Sequence, residues 1–420
     1  MNLTLTMLTD AVRDAAALRR VQRLQPVGGA EDTLFPPTYP GADQKPRHVF
    51  ERRVRTLRPN GVSGNDTAAD ESREVWTVLL DSVQSQANRL EEALLDAATD
   101  GLPLPFATVD FTGADLHPLE RITSLDAPHR VYDAILRDSS LADKPFMDSE
   151  PGRRLTSARP GEATALLEFS PNALLFGAWH SQGQGGGLGA KFPRVLVSEI
   201  IGVDTPVDEI GVNRVTGEID PRPAGRRPGS RIDPLGIRAA VPIFKDKDAN
   251  WNTTKKGLGT QIKSSKPSAV NHGNVAPSVE PLGVTCAYAE HRVVITCAGL
   301  RRLRFGSPAR NDAGRVLLAA LGLVALAEQD ARGYCLRSRC DLVCDGRADL
   351  EIVHPDGGTE PFQADRETSL RVYREAYQNA EAAGFCFESL TLVPQTKLVE
   401  IIRQSQDMAL AGRGVEAAEA

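Results

Sequence analysis

The sequence predicts an α+β fold, and three observations predict it. Segments with a helical period and segments with a strand period both occur, and they do not alternate as regular βαβ units. No repeat period is visible, which sets aside solenoids and propellers. The composition, 41% hydrophobic and 25% charged over 420 residues, is that of an ordinary globular chain long enough for two or three domains.

Taken in order, residues 3–24 carry helical spacing, and the Pro- and Gly-rich stretch "LQPVGGAEDTLFPPTYPG" then reads as a loop. "RHVFERRVRT" alternates, placing Val49, Glu51, Arg53 and Arg55 on one face of a strand. "REVWTVLLDSVQSQANRLEEALLDAATD" is the clearest helix, with Val75, Leu79, Val83, Leu90 and Leu94 at helical spacing and Gly101 just beyond its end. Strand signals recur at "LPFATVDF", "TALLEF", "ALLFGAW", "VTCAYAEHRVVITCAGL" and "DLEIVH". Helical signals recur at "APHRVYDAILRDS", "DAGRVLLAALGLVALAEQ" and "TSLRVYREAYQNAEAAG". The apolar run 316–327 is too short to cross a bilayer and reads as a core helix. With Asp10 and Asp14 arriving early and no basic residue before the first apolar ones, the start does not resemble a signal peptide, so the expected location is the cytoplasm.

Between Gly202 and Gly283 the periodicity fails, and the segment is crowded with Pro, Gly, Asn and basic residues. That is too long for an ordinary connector and is expected to be a functional insertion. The net charge of −6 argues against a free-standing nucleic-acid binder, but its distribution does not. From Arg214 to Lys266 there are 12 Lys or Arg against 5 Asp or Glu, so this segment carries +7 and the remainder −13. Such an asymmetry suits a chain that meets a polyanion with one part and stays soluble with the rest.

In "LLFGAWHSQGQGGGLGAKFPRVLVSEIIG", Gly183, Gly185, Gly186, Gly187 and Gly189 fall within seven residues, followed by Lys191 and Arg194. Glycine lets a backbone come close to phosphate, and the two cations stand ready to neutralise it. A Walker A loop is excluded, because Gly189 is followed by Ala190, Lys191 and Phe192 rather than Lys and a hydroxyl. A permissive dinucleotide fingerprint exists at Gly185, Gly187 and Ala190, with Asp204 nineteen residues after Gly185, but Pro206 interrupts the second strand such a unit needs. A nucleotide-dependent enzyme using the Gly183–Gly189 loop is therefore the alternative reading. His180 beside Ser181 does not make a catalytic pair, since neighbours on a strand point to opposite faces. Cys335, Cys340 and Cys344, with His354 beyond, lack the close paired spacing of structural zinc sites and read as buried thiols in strands. The surviving candidates for contact with the phosphates of a single-stranded polymer are the glycine loop, Lys191, Arg194, Arg231 of the basic insertion, and Arg301, Arg302 and Arg304 in "LRRLRFG".

The motifs "RLQPVGGAEDTLFPPTYPG", "LLDSVQSQANRLEEAL", "SLDAPHRVYDAILRDS", "LLFGAWHSQGQGGGLGAKFPRVLVSEIIG", "SRIDPLGI", "LRRLRF" and "GYCLRSRCDLV", in this order, resemble the backbone subunit of type I-G (formerly I-U) CRISPR surveillance complexes, in the RAMP superfamily of guide-RNA-binding proteins. His180 departs from that pattern, which has a short acidic or amide residue before Ser181. The resemblance implies a modified RRM or ferredoxin-like palm with long thumb or fingers insertions. It divides the chain into an N-terminal part of the palm with helical insertions, 1–202, a basic insertion, 203–283, and a C-terminal part of the palm, 284–420. It further implies a non-catalytic, oligomeric subunit, with crRNA, further copies of itself, other effector subunits and guide-paired target DNA as partners, in antiviral defence. No cofactor, metal or membrane is implied.

Overall fold

The computed structural model describes residues 1–41, 46–57, 71–180, 191–212, 219–223, 227–231, 235–247, 250–272, 275–280 and 282–410. The fold is mixed α and β, and it divides into two compact units: Met1–Val207 with Val284–Gln395, and Asp208–Gly283 with Thr396–Ala420.

The first unit is built on a nine-stranded sheet. In chain order its strands and principal helices are α1 (Leu5–Asp14), β1 (Ala17–Pro26), β2 (Phe50–Leu57), β3 (Glu71–Asp81), α2 (Val83–Thr99), β4 (Leu196–Val203), β5 (Tyr288–Thr296), α3 (Pro308–Arg332), β6 (Tyr334–Arg337), β7 (Cys340–Cys344), β8 (Leu350–Val353), β9 (Thr359–Phe362) and α4 (Arg366–Ala382). The spatial order is β6-β7-β1-β5-β4-β3-β2, with β8 beside the start of β1 and β9 beside β8. Every pairing in this sheet is antiparallel.

The residues 3–24 that read as one helix are a helix and a strand. Leu18, Arg20, Gln22 and Leu24 of β1 turn inward while Val21 and Arg23 face out, so the period is two. Two polar residues on the inward face disguised it. They are tolerated there because each is matched: Gln22 donates to Gly346 O at 2.6 Å and accepts from the Ala348 amide at 2.9 Å, and Arg20 pairs with Asp330. The long helix expected over 73–100 also divides. Ser82 caps α2 by accepting from the Ser85 amide at 3.2 Å, and everything before it is β3, whose Val78 and Leu80 enter the core.

Short apolar runs misled in the other direction. "TALLEF" and "ALLFGAW" are not strands: Thr164–Phe169 and Pro171–Phe176 are helices, buried on almost every side, and only Ala178–Trp179 is strand. Six buried residues carry no period that separates the two states. "APHRVYDAILRDS" yields a single 3-10 turn, Arg130–Tyr132, and a four-residue helix, Ala134–Arg137, divided where Asp133 takes an extended conformation and caps the Ile135 amide. By contrast β2, β5, β8, α3, α4 and the strand Ala107–Asp110 lie where periodicity places them.

Helix α3 is the spine of the core: every residue from Gly314 to Gln329 is buried, against α2, α1 and α4. A second cluster under the sheet joins Leu24, Val78, Leu80, Ile200, Ala289, Tyr334 and Leu342. Between them runs a buried polar network. Ser198 lies 2.7 Å from His291 Nε2 and donates to Gln86 at 2.8 Å, Gln86 donates to Asp81 at 2.7 Å, and Arg89 and Arg337 close on the same carboxylate at 2.9 and 3.0 Å. His291 is fully buried, and burial, with Arg20 nearby, pushes its pKa down to about 3. It is therefore a neutral hydrogen-bonding residue. A separate five-stranded sheet orders Arg121–Thr123, Ala107–Asp110, Leu390–Pro394, Ser139–Leu141 and Lys144–Pro145.

The second unit holds several small sheets and, from the C-terminal segment, the helix Thr396–Leu410. Val207–Val212 pairs with Ile219–Pro223, Arg227–Arg231 with Val275–Glu280, and Ile243–Lys245 lies between Trp251–Asn252 and Lys263–Ser265. Strands of two to six residues are too short to show an alternation that can be read from sequence. No helix among the described residues is long and apolar enough to cross a membrane.

Candidate nucleic-acid interface

The helix Pro171–Phe176 ends at Gly177, whose φ of 87° and ψ of 150° lie in a region essentially restricted to glycine. A Cβ there would also meet Arg194 N at 3.0 Å and Phe192 O at 3.1 Å. This turn lets Ala178–Trp179 run antiparallel to Lys191–Phe192, with Trp179 opposite Lys191, and the two short strands form the base of the glycine-rich segment. Gly183, Gly185, Gly186, Gly187 and Gly189 themselves lie outside the described residues, as does Ser181.

At this base the cations outnumber their partners. Lys191 is exposed, its Nζ 5.9 Å from the ring centroid of Trp179, which is itself 61% exposed. Arg194 is half-buried and makes no hydrogen bond or ion pair among the described residues. Burial, with Arg130 close by, pulls its pKa down. Arg130 is committed elsewhere: it holds Glu91 in a bidentate pair at 2.7 and 2.7 Å and donates to Gly177 O at 2.9 Å. It thereby ties the hairpin base to α2. Glu91 also accepts from Asn172 at 2.7 Å, so two further elements converge on the buried carboxylate that α2 carries.

His180 sits at the edge of this group. It is buried and stacks on Tyr132 with ring centroids 4.9 Å apart, and its Nδ1 has no hydrogen-bond partner among the described residues. Burial, then Arg159 and Arg137, lower its pKa, so it is neutral near pH 7 and adds no charge.

The other predicted residues divide. Arg301 is a structural residue, because one guanidinium nitrogen donates to the carbonyls of Val12, Arg13 and Ala15 at 2.9, 3.1 and 2.8 Å and so caps the end of α1. Arg302 and Arg304 are exposed and their side chains have no partner among the described residues. The Thr296 amide donates to Val195 O at 2.9 Å, which brings the turn that carries them to the same end of the sheet as Arg194. Arg231 ends the strand Arg227–Arg231, opposite Val275, in the second unit.

Cys335 and Cys344 are exposed rather than buried, because Cys335 faces out between the buried Tyr334 and Leu336 and Cys344 ends β7, while Cys340 is buried and its thiol is pushed up to about 11. Among the described residues no group of three or more His, Cys, Asp or Glu is arranged to hold a metal ion. His354 instead faces Glu360 at 3.1 Å.

Sequence reasoning missed the charge lattice on the outer face of the main sheet. Arg53 pairs with Glu51 at 2.7 Å and Glu199 at 3.3 Å, Arg55 and Arg292 both reach the buried Glu290 at 2.5 Å, and Arg23 lies 4.2 Å over the ring of Tyr288. A cleft of about 240 Å³ opens between Arg53, Arg55, Glu290 and Arg292. The alternation in "RHVFERRVRT" placed Arg53 and Arg55 on one face, but only the sheet brings Glu199 and Glu290 opposite them. These arginines are already neutralised, so a phosphate here must displace a carboxylate, whereas Lys191 and Arg194 have no carboxylate partner among the described residues.

Residues 18–207, a little under half of the chain, match the model of a family described as CRISPR-associated protein GSU0053. That stretch covers β1 to β4 and includes Lys191 and Arg194, and its similarity supports a role in CRISPR defence. No curated protein was found to match the chain.

Proposed function

We propose that this chain is the crRNA-binding backbone subunit of a type I-G CRISPR effector complex. It would line up in several copies along the guide and present it for pairing with target DNA. The carrying observation is the match of residues 18–207 to a CRISPR-associated family, because the same stretch contains Lys191 and Arg194 of the hairpin base, which form no ion pair among the described residues.

The strand order supports the palm. Reading β1, β4, β5 and β7 as the first to fourth strands of a βαββαβ unit, the order β7-β1-β5-β4 is that of an RRM or ferredoxin-like sheet, with α3 as the second crossover. The hairpin between β4 and β5 is then the point from which the basic insertion departs. In this reading Lys191 and Arg194 hold successive phosphates, and Arg302 and Arg304 extend the track. Contacts of this kind carry affinity but little sequence information, so one subunit serves any guide. The chain acts as a scaffold, and cutting of the target belongs to another protein.

Coexpression with a CRISPR array tests this. The purified protein is expected to carry RNA of discrete length, and Lys191→Ala with Arg194→Ala is expected to leave the fold intact, weaken RNA binding, and lower the salt slope by roughly one or two contacts. RNA-free protein that binds ATP or NAD saturably would overturn the proposal in favour of a nucleotide-dependent enzyme.

A further inference from the structure

We propose a second single-strand-binding surface on the three-stranded sheet of the second unit, centred on Trp251. It is independent of the guide-RNA reading and of the hairpin base.

Between Val241 and His272 the sequence holds six lysines against two aspartates. Asp246 is buried and turned to structural use, accepting from the Asn250 amide at 2.9 Å, Asn250 Nδ2 at 3.0 Å and the Gly259 amide at 3.0 Å. It fixes the loops and does not neutralise the surface. Lys247, Lys255, Lys256, Lys263 and Lys266 are exposed, and none forms an ion pair among the described residues. Lys245 donates to Ala269 O at 3.0 Å.

The register arranges these groups. Trp251, Lys245 and Lys263 lie directly opposite one another across the three strands, so they share one face. Trp251 is 46% exposed, with His272 edge-on at 5.8 Å. On the other side Lys255 lies over Phe244 at 5.9 Å.

Unpaired lysines alone attract any polyanion, an acidic protein included. A large exposed ring set in their row adds a platform on which a base can stack, and this favours a polynucleotide over a purely acidic segment. Stacking is worth about 1–3 kcal/mol per base and is indifferent to base identity, and lysines beside the ring track the phosphates. The occupant is therefore a single-stranded polynucleotide.

The test uses the full chain and labelled oligothymidylate and oligouridylate of about twenty nucleotides, followed by anisotropy over a salt series. Lys256→Ala, Lys263→Ala and Lys266→Ala together are expected to weaken binding at least about tenfold and to lower the salt slope by about 2. Trp251→Ala is expected to weaken it roughly 5- to 150-fold with the slope unchanged, and Trp251→Phe to retain most of the affinity. Preference for one oligonucleotide identifies DNA or RNA as the source, and either result supports the surface. Unchanged binding by both the triple variant and Trp251→Ala overturns it. So does equal displacement of the oligonucleotide from wild type and Trp251→Ala by polyglutamate, which would assign the lysines to an acidic protein. Loss of all oligonucleotide binding in Lys191→Ala with Arg194→Ala would reduce the two sites to one and also overturn it. Failure to recover guide RNA from cells bears only on the hairpin base.

Discussion

Breaking the Glu91–Arg130 pair should unsettle the hairpin base without touching Lys191 or Arg194. Glu91 is 2% exposed and Arg130 9%, and both carboxylate oxygens are engaged at 2.7 Å. Burial pushes the Glu91 carboxyl up while Arg130 pulls it back, so the carboxylate depends on its partner. Glu91→Gln keeps the shape but turns an amide NH2 toward guanidinium donors, leaving a buried cation unmatched beside Arg194. Removing one partner of such a pair costs about 3–5 kcal/mol, a large share of a total stability of about 5–15 kcal/mol. Arg130→Met strands the carboxylate and also frees Gly177 O, with a similar cost. Combining the two removes both charges, so the double variant should be more stable than the sum of the single losses implies, by about 2 kcal/mol or more. Urea unfolding of the four proteins under one set of conditions measures this coupling. Additive losses would falsify the reasoning, since they would mean that the two charges do not sense each other. RNA affinity should fall in Arg130→Met even under conditions where the protein remains folded, because the hairpin base loses its tie to α2.

Three further outcomes are expected. His291, held neutral with a pKa of about 3 against about 6.5 unfolded, contributes stability that is present above pH 6.5 and lost as pH falls below it; about 2 kcal/mol should disappear by pH 5. In His291→Gln this component of the pH dependence should vanish, and an unchanged slope in urea titrations at pH 7.5 and 5 would show that His291 is not its source. Gly177→Ala should cost about 1–3 kcal/mol and weaken RNA binding, because the turn demands a backbone that alanine rarely adopts; wild-type thermal stability and affinity would count against this. Maleimide should label Cys335, Cys344 and Cys386 in the native protein and spare Cys286, Cys297 and Cys340, whereas protection of Cys335 and Cys344 that a chelator removes would reveal a metal site.

Sequence alone determined the elements whose period is strong and unbroken: α3 and α4, the alternating β2, and β5 with its inward apolar residues. It also located the basic segment from Arg214 to Lys266 and, by the glycine run before them, singled out Lys191 and Arg194. The tertiary structure decided whatever depends on partners distant in the chain. Arg20 and Gln22 face the core of β1 only because Asp330, Gly346 and Ala348 meet them there, and so the strand read as a helix. Arg301 and Arg302 are neighbours in one basic cluster, yet the first caps α1 and the second has no side-chain partner among the described residues, a distinction set by where the end of α1 lies. Arg53 and Arg55 look as available as Lys191 until the sheet lays Glu199 and Glu290 beside them. Charge is a property of the residue and can be counted along the chain; whether that charge is already neutralised depends on distances that only folding establishes.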